Sequence, residues 1–202
     1  ILVWGGITFL LLGSDILLSP EKYVWNFKPI PFFTLCFVAI VFIPLQTSLE
    51  ELLFRGYYMQ GLALWIKNKW APLIIMSVVF GLLHGLNPEI EKLGYVALVF
   101  YIGTGLFFGV VSLMDEGIEL AMGMHAVNNI LAALFVTTDW TVFQTEALYI
   151  DISEPSLGAE MFLPVFVLYP VVFLIFSKKY GWSNWKDKIF GKLEKPTLIE
   201  IE

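Results

Sequence analysis

The sequence has few of the residues with which soluble proteins build their surfaces and their metal sites. Charged residues make up 15% of the 202 positions, whereas a soluble domain typically carries about 25%. The single cysteine, Cys36, excludes an intrachain disulfide and a cysteine-based zinc site. The net charge of −6 and the lack of a basic patch exclude nucleic acid as a partner. Hydrophobic residues reach 58%, which excludes disorder and an ordinary soluble fold and indicates a membrane protein.

Long apolar runs occupy most of the chain. A spanning helix needs about 20 mostly apolar residues, and we therefore predict an all-α, polytopic transmembrane helix bundle with about six spans. The second run would be ~50 Å long as a helix, so we expect it to tilt, to end in an interfacial segment or to kink at Pro44. The chain starts at Ile1 inside an apolar run, and we expect its N-terminus to be truncated. The predicted segments are 1–18, 32–65, 71–87, 93–114, 117–138 and 161–177.

The lysines are divided unequally between the two ends of this bundle. With six spans, the second and fourth connecting loops and the C-terminal residues lie on one side, where they carry eight lysines, and the opposite loops carry three. Lysine and arginine in short loops concentrate on the cytoplasmic side. We therefore predict a transmembrane bundle at 1–177 and a polar cytoplasmic tail at 178–202.

Ionisable residues inside the predicted spans are so few that each is a functional candidate. Placing one in a bilayer costs at least ~2.5–3.5 kcal/mol on insertion scales. The whole sequence has one arginine and two histidines. The candidates, with two amides that follow the second histidine, are Glu50, Glu51, Arg55, His84, His125, Asn128 and Asn129.

The first group of candidates runs from Glu50 to Arg55. Glu51 precedes Arg55 by four residues, which is the favoured helical geometry for an ion pair. Glu50 lies ~100° further round the helix and would point elsewhere. A carboxylate held there in an apolar site suits a general base. A purely structural Glu51–Arg55 pair near the membrane interface explains the spacing equally well.

The second group surrounds His84. Phe80 and His84 lie one turn apart on the same helix face. Gly81 and Gly85 form a pair of small residues four apart, which predicts the close approach of another helix near His84. Taken alone, the motif fits better with a buried histidine that bonds to a backbone carbonyl.

The third group is His125 with Asn128 and Asn129. The two asparagines follow the histidine by three and four residues, so either could share its helix face. An amide offers N–H donors to a developing oxyanion. Taken alone, hydrogen bonding between helices explains these residues better.

The three groups fall at similar depths from the predicted cytoplasmic ends of their helices, at ~1.5 Å per residue. This predicts one shared, water-filled cavity. A glutamate and two histidines can hold and deprotonate a water for attack on an amide. They are also a known zinc ligand set, but no HExxH motif is present. The cofactor is therefore left open, with zinc as the candidate metal and Glu50, His84 and His125 as its candidate ligands.

In these residues the sequence resembles the CPBP family of intramembrane endopeptidases, also called the Abi or CAAX-protease-and-bacteriocin-processing family. The family pattern is EExxxR, FxxxH and HxxxN on successive helices. The chain carries it at Glu50–Arg55, Phe80–His84 and His125–Asn129. The resemblance covers roughly residues 32–135, which it implies to be the catalytic core.

The resemblance implies a protease that hydrolyses a peptide bond in a membrane-associated peptide or protein. It implies that Glu50 activates water, that His84 and His125 position this water or a metal, and that Asn129 stabilises the oxyanion. Glu51 and Arg55 would support the geometry, as would Asn128, and which of the two asparagines faces the site stays open. The family is usually labelled a metalloprotease, although its need for a metal is disputed. The compact chain is similar to prokaryotic members, so we expect a prokaryotic cell membrane and a substrate without a prenyl group.

Two other functions stay open at this point. In a non-catalytic membrane scaffold or a bacteriocin-immunity protein on the same fold, the polar cluster would only hold the helices together by hydrogen bonds. A transporter or channel would use the buried acid as a proton or ion site, but the sequence shows no inverted repeat.

Overall fold

The structure is a computed structural model that describes residues 2–158 and 161–193. Ile1, residues 159–160 and residues 194–202 lie outside the described part. The first residue of the predicted first span and the end of the predicted tail are therefore not described.

The described chain is mostly helical, as predicted. Short 3-10 turns at Pro20–Lys22, His84–Leu86 and Tyr95–Ala97 extend or connect the helices. In chain order the α-helices and strands are α1 (Leu2–Leu18), β1 (Tyr23–Trp25), α2 (Pro29–Glu51), α3 (Met59–Ile66), α4 (Trp70–Leu83), α5 (Pro88–Leu93), α6 (Leu98–Asp115), α7 (Glu119–Phe135), β2 (Val136–Thr137), β3 (Tyr149–Asp151), α8 (Tyr169–Tyr180) and α9 (Trp185–Phe190).

One helical stretch of 38 residues runs from Pro29 to Ile66 and corresponds to the predicted long helix. Pro44 lies inside α2. A π-helical turn at Leu52–Tyr58 joins α2 to α3 directly after Glu51. The sequence gives no sign of this turn, because a widened turn uses the same residues as an ordinary one. Such turns are frequent at functional sites.

In the part of the chain that the structure describes, two helical stretches are long and apolar enough to cross a membrane by themselves, Pro29–Ile66 and Tyr95–Asp115. Two more apolar helices, Leu2–Leu18 and Trp70–Leu86, are shorter than a full span. The outer face of α2 exposes many large apolar side chains, as a lipid-facing helix does; among them are Phe33, Phe37, Ile40, Phe42, Leu45 and Leu49. The count of about six spans stays a prediction.

Helices α4 and α6 pack closely because glycines line their contact. A Cβ on Gly81 would lie 2.8 Å from the backbone nitrogen of Ile102, and a Cβ on Gly105 would lie 3.0 Å from the carbonyl oxygen of Ser77. Gly85, by contrast, has nothing within 4 Å of such a Cβ. The predicted close approach near His84 therefore occurs at the first of the two glycines.

A small three-stranded sheet lies outside the helices and departs from the all-α prediction. Strand β3 is central, with β1 antiparallel on one side and β2 parallel on the other. The strands have two or three residues each, which is too short for a two-residue periodicity to be visible in the sequence. The sheet ties the segment before α2 to the loop that follows α7.

The loop between α3 and α4, the loop between α6 and α7, and the described part of the tail lie together at the opposite end of the bundle. The indole N–H of Trp182 donates to Asp115 at 3.0 Å, and Lys188 donates to the carbonyl of Met114 at 2.9 Å. The N–H of Lys69 donates to the carbonyl of Gly191 at 3.2 Å. These loops and the described tail thus share one end, and the side of the membrane on which this end lies stays a prediction.

Candidate active site

A cavity of about 620 Å³ lies among α2, α4, α6 and α7. It extends to the loop after α7, so it lies towards the sheet end of the bundle. It is the place where the three sequence motifs meet. The predicted site residues that line it are Glu50, His84, His125, Asn128 and Asn129, together with Phe80.

Glu51 and Arg55 lie behind the cavity wall and form a buried ion pair. The side chains are 0% and 3% exposed, and Arg55 Nη1 lies 3.0 Å from Glu51 Oε1. Arg55 Nη2 donates to the carbonyl of Gly105 at 2.9 Å, and the guanidinium carbon lies 4.6 Å from the ring centroid of Phe80. The i,i+4 spacing predicts this pair, and the structure contains it. Desolvated charges of this kind persist only when paired and hydrogen-bonded.

His125 is held by the same carboxylate. Its Nδ1 lies 2.8 Å from Glu51 Oε1, and because a carboxylate accepts, Nδ1 carries the proton. The neutral ring then has its lone pair on Nε2. The ring also stacks on Phe108, with centroids 5.1 Å apart. Glu51 and Phe108 therefore fix both the tautomer and the plane of this imidazole.

Glu50 lies on the cavity side of the same helix. Its side chain is 28% exposed, and Oε2 lies 3.9 Å from His125 Nε2. That distance is too long for a direct hydrogen bond, and a water can bridge such a gap. The side-chain amide of Gln46, one turn earlier, donates to Glu50 Oε1 at 2.5 Å. Gln46 also lines the cavity, and the same i,i−4 spacing could have identified it from the sequence.

His84 stands where α4 ends and a 3-10 turn begins. Its Nδ1 donates to the carbonyl of Phe80 at 2.8 Å, since a carbonyl can only accept. The neutral ring again keeps its lone pair on Nε2. The expected bond to a backbone carbonyl therefore exists, and it leaves the other ring nitrogen available in a residue that lines the cavity.

Asn128 and Asn129 both line the cavity. Asn128 Nδ2 donates to Asn129 Oδ1 at 3.3 Å. This contact uses the carbonyl end of the Asn129 side chain and leaves its NH₂ group as the end that can donate to another group.

The side chains do not fit a metal centre in this arrangement. Within residues 2–158 and 161–193, no three histidine, cysteine, aspartate or glutamate side chains are disposed to hold one metal ion. Glu50, His84 and His125 line one cavity without converging on a point. No step of the reaction that we propose for this site passes through a metal ion.

Several polar residues of the cavity have no place in the sequence motifs, and three of them form a cluster: Asn87, Glu89 and Tyr101. Glu89 is 7% exposed. Asn87 directly precedes α5, Glu89 lies in α5 and Tyr101 lies in α6. The packing of α4 against α6 brings Tyr101 to His84. A buried carboxylate in a short loop helix carries no signal that a single sequence would reveal.

Residues 29–131 match the family described as "Type II CAAX prenyl endopeptidase Rce1-like". The chain belongs to this Rce1-like family. The match runs from α2 to the last turns of α7 and includes Glu50, Glu51, Arg55, His84, His125, Asn128 and Asn129. It confirms the resemblance seen in the three motifs. The Rce1-like family is membrane-embedded and its members are generally proteases, so the chain is a membrane protein of a protease family.

A curated relative has a similar sequence. The chain is 32% identical over 175 residues to "Uncharacterized protein YyaK" of Bacillus subtilis (strain 168). The alignment covers 86% of this chain and 57% of the relative, so the chain spans little more than half the length of the protein it matches. No solved structure matches the chain.

Proposed function

We propose that the chain is an intramembrane endopeptidase that uses a glutamate-activated water to hydrolyse a peptide bond in a membrane-associated peptide or protein. The observation that supports this most is the gap of 3.9 Å between Glu50 Oε2 and His125 Nε2. A water can bridge the carboxylate and the imidazole lone pair across this gap, at the wall of the cavity.

In this proposal Glu50 takes a proton from the water, and the hydroxide attacks the scissile carbonyl carbon. The carbonyl oxygen becomes an oxyanion and accepts a hydrogen bond from the NH₂ group of Asn129. Glu50 then gives the proton to the amide nitrogen, the C–N bond breaks, and the products are a carboxylic acid and an amine. Proton and oxygen are both supplied by the water, so no further reactant is required.

The other residues act on the orientation of the water. His125 accepts a hydrogen bond from it through Nε2, because Glu51 holds the proton on Nδ1, and Arg55 balances the charge of Glu51. His84 Nε2 is an alternative acceptor for the O–H bond that Glu50 does not take, because a water has two O–H bonds to donate. Asn128 orients Asn129. The pattern of a carboxylate that fixes the tautomer of a working histidine is common in hydrolases.

The proposal also includes the arrangement in the membrane. We place six spans at α1, Pro29–Ile66, α4, Tyr95–Asp115, α7, and α8 together with the π-helical turn Pro164–Leu168 that precedes it. They form a bundle at 1–177 with its catalytic core at about 32–135, and the polar tail at 178–202 lies in the cytoplasm of a prokaryotic cell. The lysine distribution supports this orientation. Cysteines introduced singly at Ser19 and Ser183 of a Cys36→Ser protein should be labelled from opposite sides of sealed vesicles, and labelling from the same side would contradict the topology.

The test of the proposed activity uses purified protein in phosphatidylcholine–phosphatidylglycerol liposomes. It is given a library of unmodified apolar peptides, and a second library with a farnesylated cysteine four residues from the carboxyl end. Mass spectrometry reads the products. We expect cleavage of unmodified peptides by the wild type, and a loss of about 10²–10⁴-fold in Glu50→Gln, the usual contribution of a general base.

Glu21→Gln, which changes an exposed glutamate outside the cavity, is the matched control and should cleave like the wild type. Cleavage confined to farnesylated peptides would overturn the substrate proposal. Equal cleavage by the wild type and Glu50→Gln would overturn the mechanism. A biological activity that survives Glu50→Gln, His84→Ala and His125→Ala would favour the non-catalytic scaffold or immunity protein instead.

A further inference from the structure

A second polar cluster, formed by Asn87, Glu89 and Tyr101, lies in the same cavity. The hydroxyl of Tyr101 donates to Glu89 Oε1 through a short hydrogen bond, and Asn87 Nδ2 donates to the same oxygen at 3.1 Å. The other carboxylate oxygen accepts the backbone N–H of Val142 at 3.0 Å. Glu89 thus links α5, α6 and the loop after α7 at a single side chain.

This cluster touches the proposed catalytic machinery at His84. The rings of Tyr101 and His84 are stacked, with centroids 4.3 Å apart and planes 18° from parallel. The ring of Phe80 lies against His84 as well, at 4.8 Å. His84 stands at the end of α4, where the following residues turn away, so α6 supplies the support that a continuing helix would otherwise give.

Two contacts therefore determine where His84 Nε2 points. The hydrogen bond from Nδ1 to the Phe80 carbonyl sets one edge of the ring, and the stack on Tyr101 sets its plane. Tyr101 is fixed in turn at its far end by Glu89. Glu89 is 7% exposed, and among the described residues its two carboxylate oxygens accept hydrogen bonds from neutral donors. Keeping an unpaired carboxylate in such a place costs several kcal/mol unless its oxygens are satisfied.

We propose that Tyr101 and Glu89 are positioning residues for His84. Glu89 fixes the Tyr101 hydroxyl by a hydrogen bond, and the Tyr101 ring fixes the plane of the His84 imidazole by stacking. The lone pair on His84 Nε2 therefore points at the reacting water. This role rests on the proposed peptidase function. The other reading of the cluster is a structural tie between α5 and the loop after α7, which would stabilise the fold without touching the chemistry.

The first arm of the test is kinetic. Tyr101→Leu removes the stack, Tyr101→Phe removes the hydroxyl alone, and Glu89→Gln keeps one acceptor oxygen. We expect kcat to fall by up to about 100-fold in Tyr101→Leu, the cost of a displaced catalytic group, and by less in the other two, with KM unchanged in all three. Tyr95→Phe and Glu91→Gln alter exposed residues of the same segment and should match the wild type.

The second arm does not depend on activity. Because the chain has two histidines, protein labelled with ¹³C,¹⁵N-histidine gives two imidazole signal sets in detergent micelles, assigned with His84→Gln. A stacked aromatic ring shields the protons above it, so Tyr101→Leu should move the His84 ring protons downfield and leave those of His125 in place.

The two arms separate the two proposals. Wild-type kcat in both Tyr101 variants, or unmoved His84 signals in Tyr101→Leu, overturns the positioning role while the peptidase function stands. A wild type that cleaves no peptide overturns the peptidase function, and the positioning role with it, even where the His84 signals move. Tyr101→Phe adds no bulk and keeps the ring, so it tests the role even if Glu89→Gln fails to fold.

Discussion

Glu50 and Glu51 are neighbours in the chain and occupy opposite environments. Glu51 is fully buried and its Oε1 accepts hydrogen bonds from both Arg55 and His125. Glu50 faces the cavity, where it contacts Gln46 and stands 3.9 Å from His125. A step of one residue rotates a side chain by ~100°, which is enough to separate a carboxylate enclosed by protein from one that meets water. His125 lies between them: its Nδ1 donates to Glu51, and its Nε2 faces Glu50 across the gap.

The two environments separate a buried ion pair from a carboxylate that meets the cavity. Arg55 pairs with the inner carboxylate through Oε1 and also donates to the Gly105 carbonyl, so the charge that the membrane would penalise is balanced away from the cavity. Glu50 lies outside this pair, at the wall of the cavity. Buried and exposed positions can be compared elsewhere in the molecule as well, and substitutions at both kinds of position test the comparison.

The largest effect on stability is expected at the buried ion pair. Glu51→Gln keeps the shape of the side chain but leaves the guanidinium of Arg55 buried without a counter-charge. Removing one partner of a buried pair typically costs about 3–5 kcal/mol, so the denaturant midpoint of the detergent-solubilised protein should fall markedly. Glu146→Gln, which breaks the exposed pair with Lys28, is the matched control. A Glu51→Gln protein as stable as that control would show that the inner carboxylate is not needed for charge balance.

A smaller effect is expected where α4 meets α6. A Cβ at position 81 meets the Ile102 backbone, whereas at position 85 it meets open space. Gly81→Ala should therefore lower the free energy of unfolding by about 1–3 kcal/mol, as overpacking does, and Gly85→Ala should be close to neutral. Thermal unfolding of the two variants side by side measures the difference. Equal stabilities would mean that the helices are further apart than the structure has them.

The sequence predicts those features that depend on neighbours along one helix. The i,i+4 rule identifies Glu51 and Arg55 as a pair and leaves Glu50 outside it. The apolar runs locate the long helices, but the short helices α5 and α9 fall outside the predicted runs, apart from the last residue of α5, and α8 begins eight residues after the predicted 161. The Glu89 cluster is different, because Glu89 and Val142 are 53 positions apart and meet only after the fold forms. The short sheet cannot be predicted for the same reason, because its strands come from distant parts of the chain. The π-helical turn cannot be predicted because no residue type marks it. The catalytic roles of Glu50, His84, His125 and Asn129 stay predictions.

The smallest effect is expected at the exposed ion pair of Lys28 and Glu146, 2.9 Å apart. The hydrogen bond from Lys28 and its positive charge hold the pKa of Glu146 below its ordinary value. A carboxyl whose pKa is lowered by folding adds stability above its unfolded pKa of about 4.3, and the contribution is lost as the pH falls through the folded pKa. Wild type should therefore be slightly more stable than Glu146→Gln at neutral pH and equal to it in acid. A difference that grows as the pH falls would contradict this sign.

Comparing Glu50→Gln with Glu51→Gln tests most directly whether Glu50 serves catalysis and Glu51 serves stability. Peptide cleavage and unfolding are measured on both proteins, purified in parallel. We expect Glu50→Gln to unfold at the wild-type midpoint and to lose about 10²–10⁴-fold in kcat. We expect Glu51→Gln to unfold at a lower midpoint than the wild type. A Glu50→Gln protein that cleaves peptide at the wild-type rate would contradict the catalytic role of Glu50.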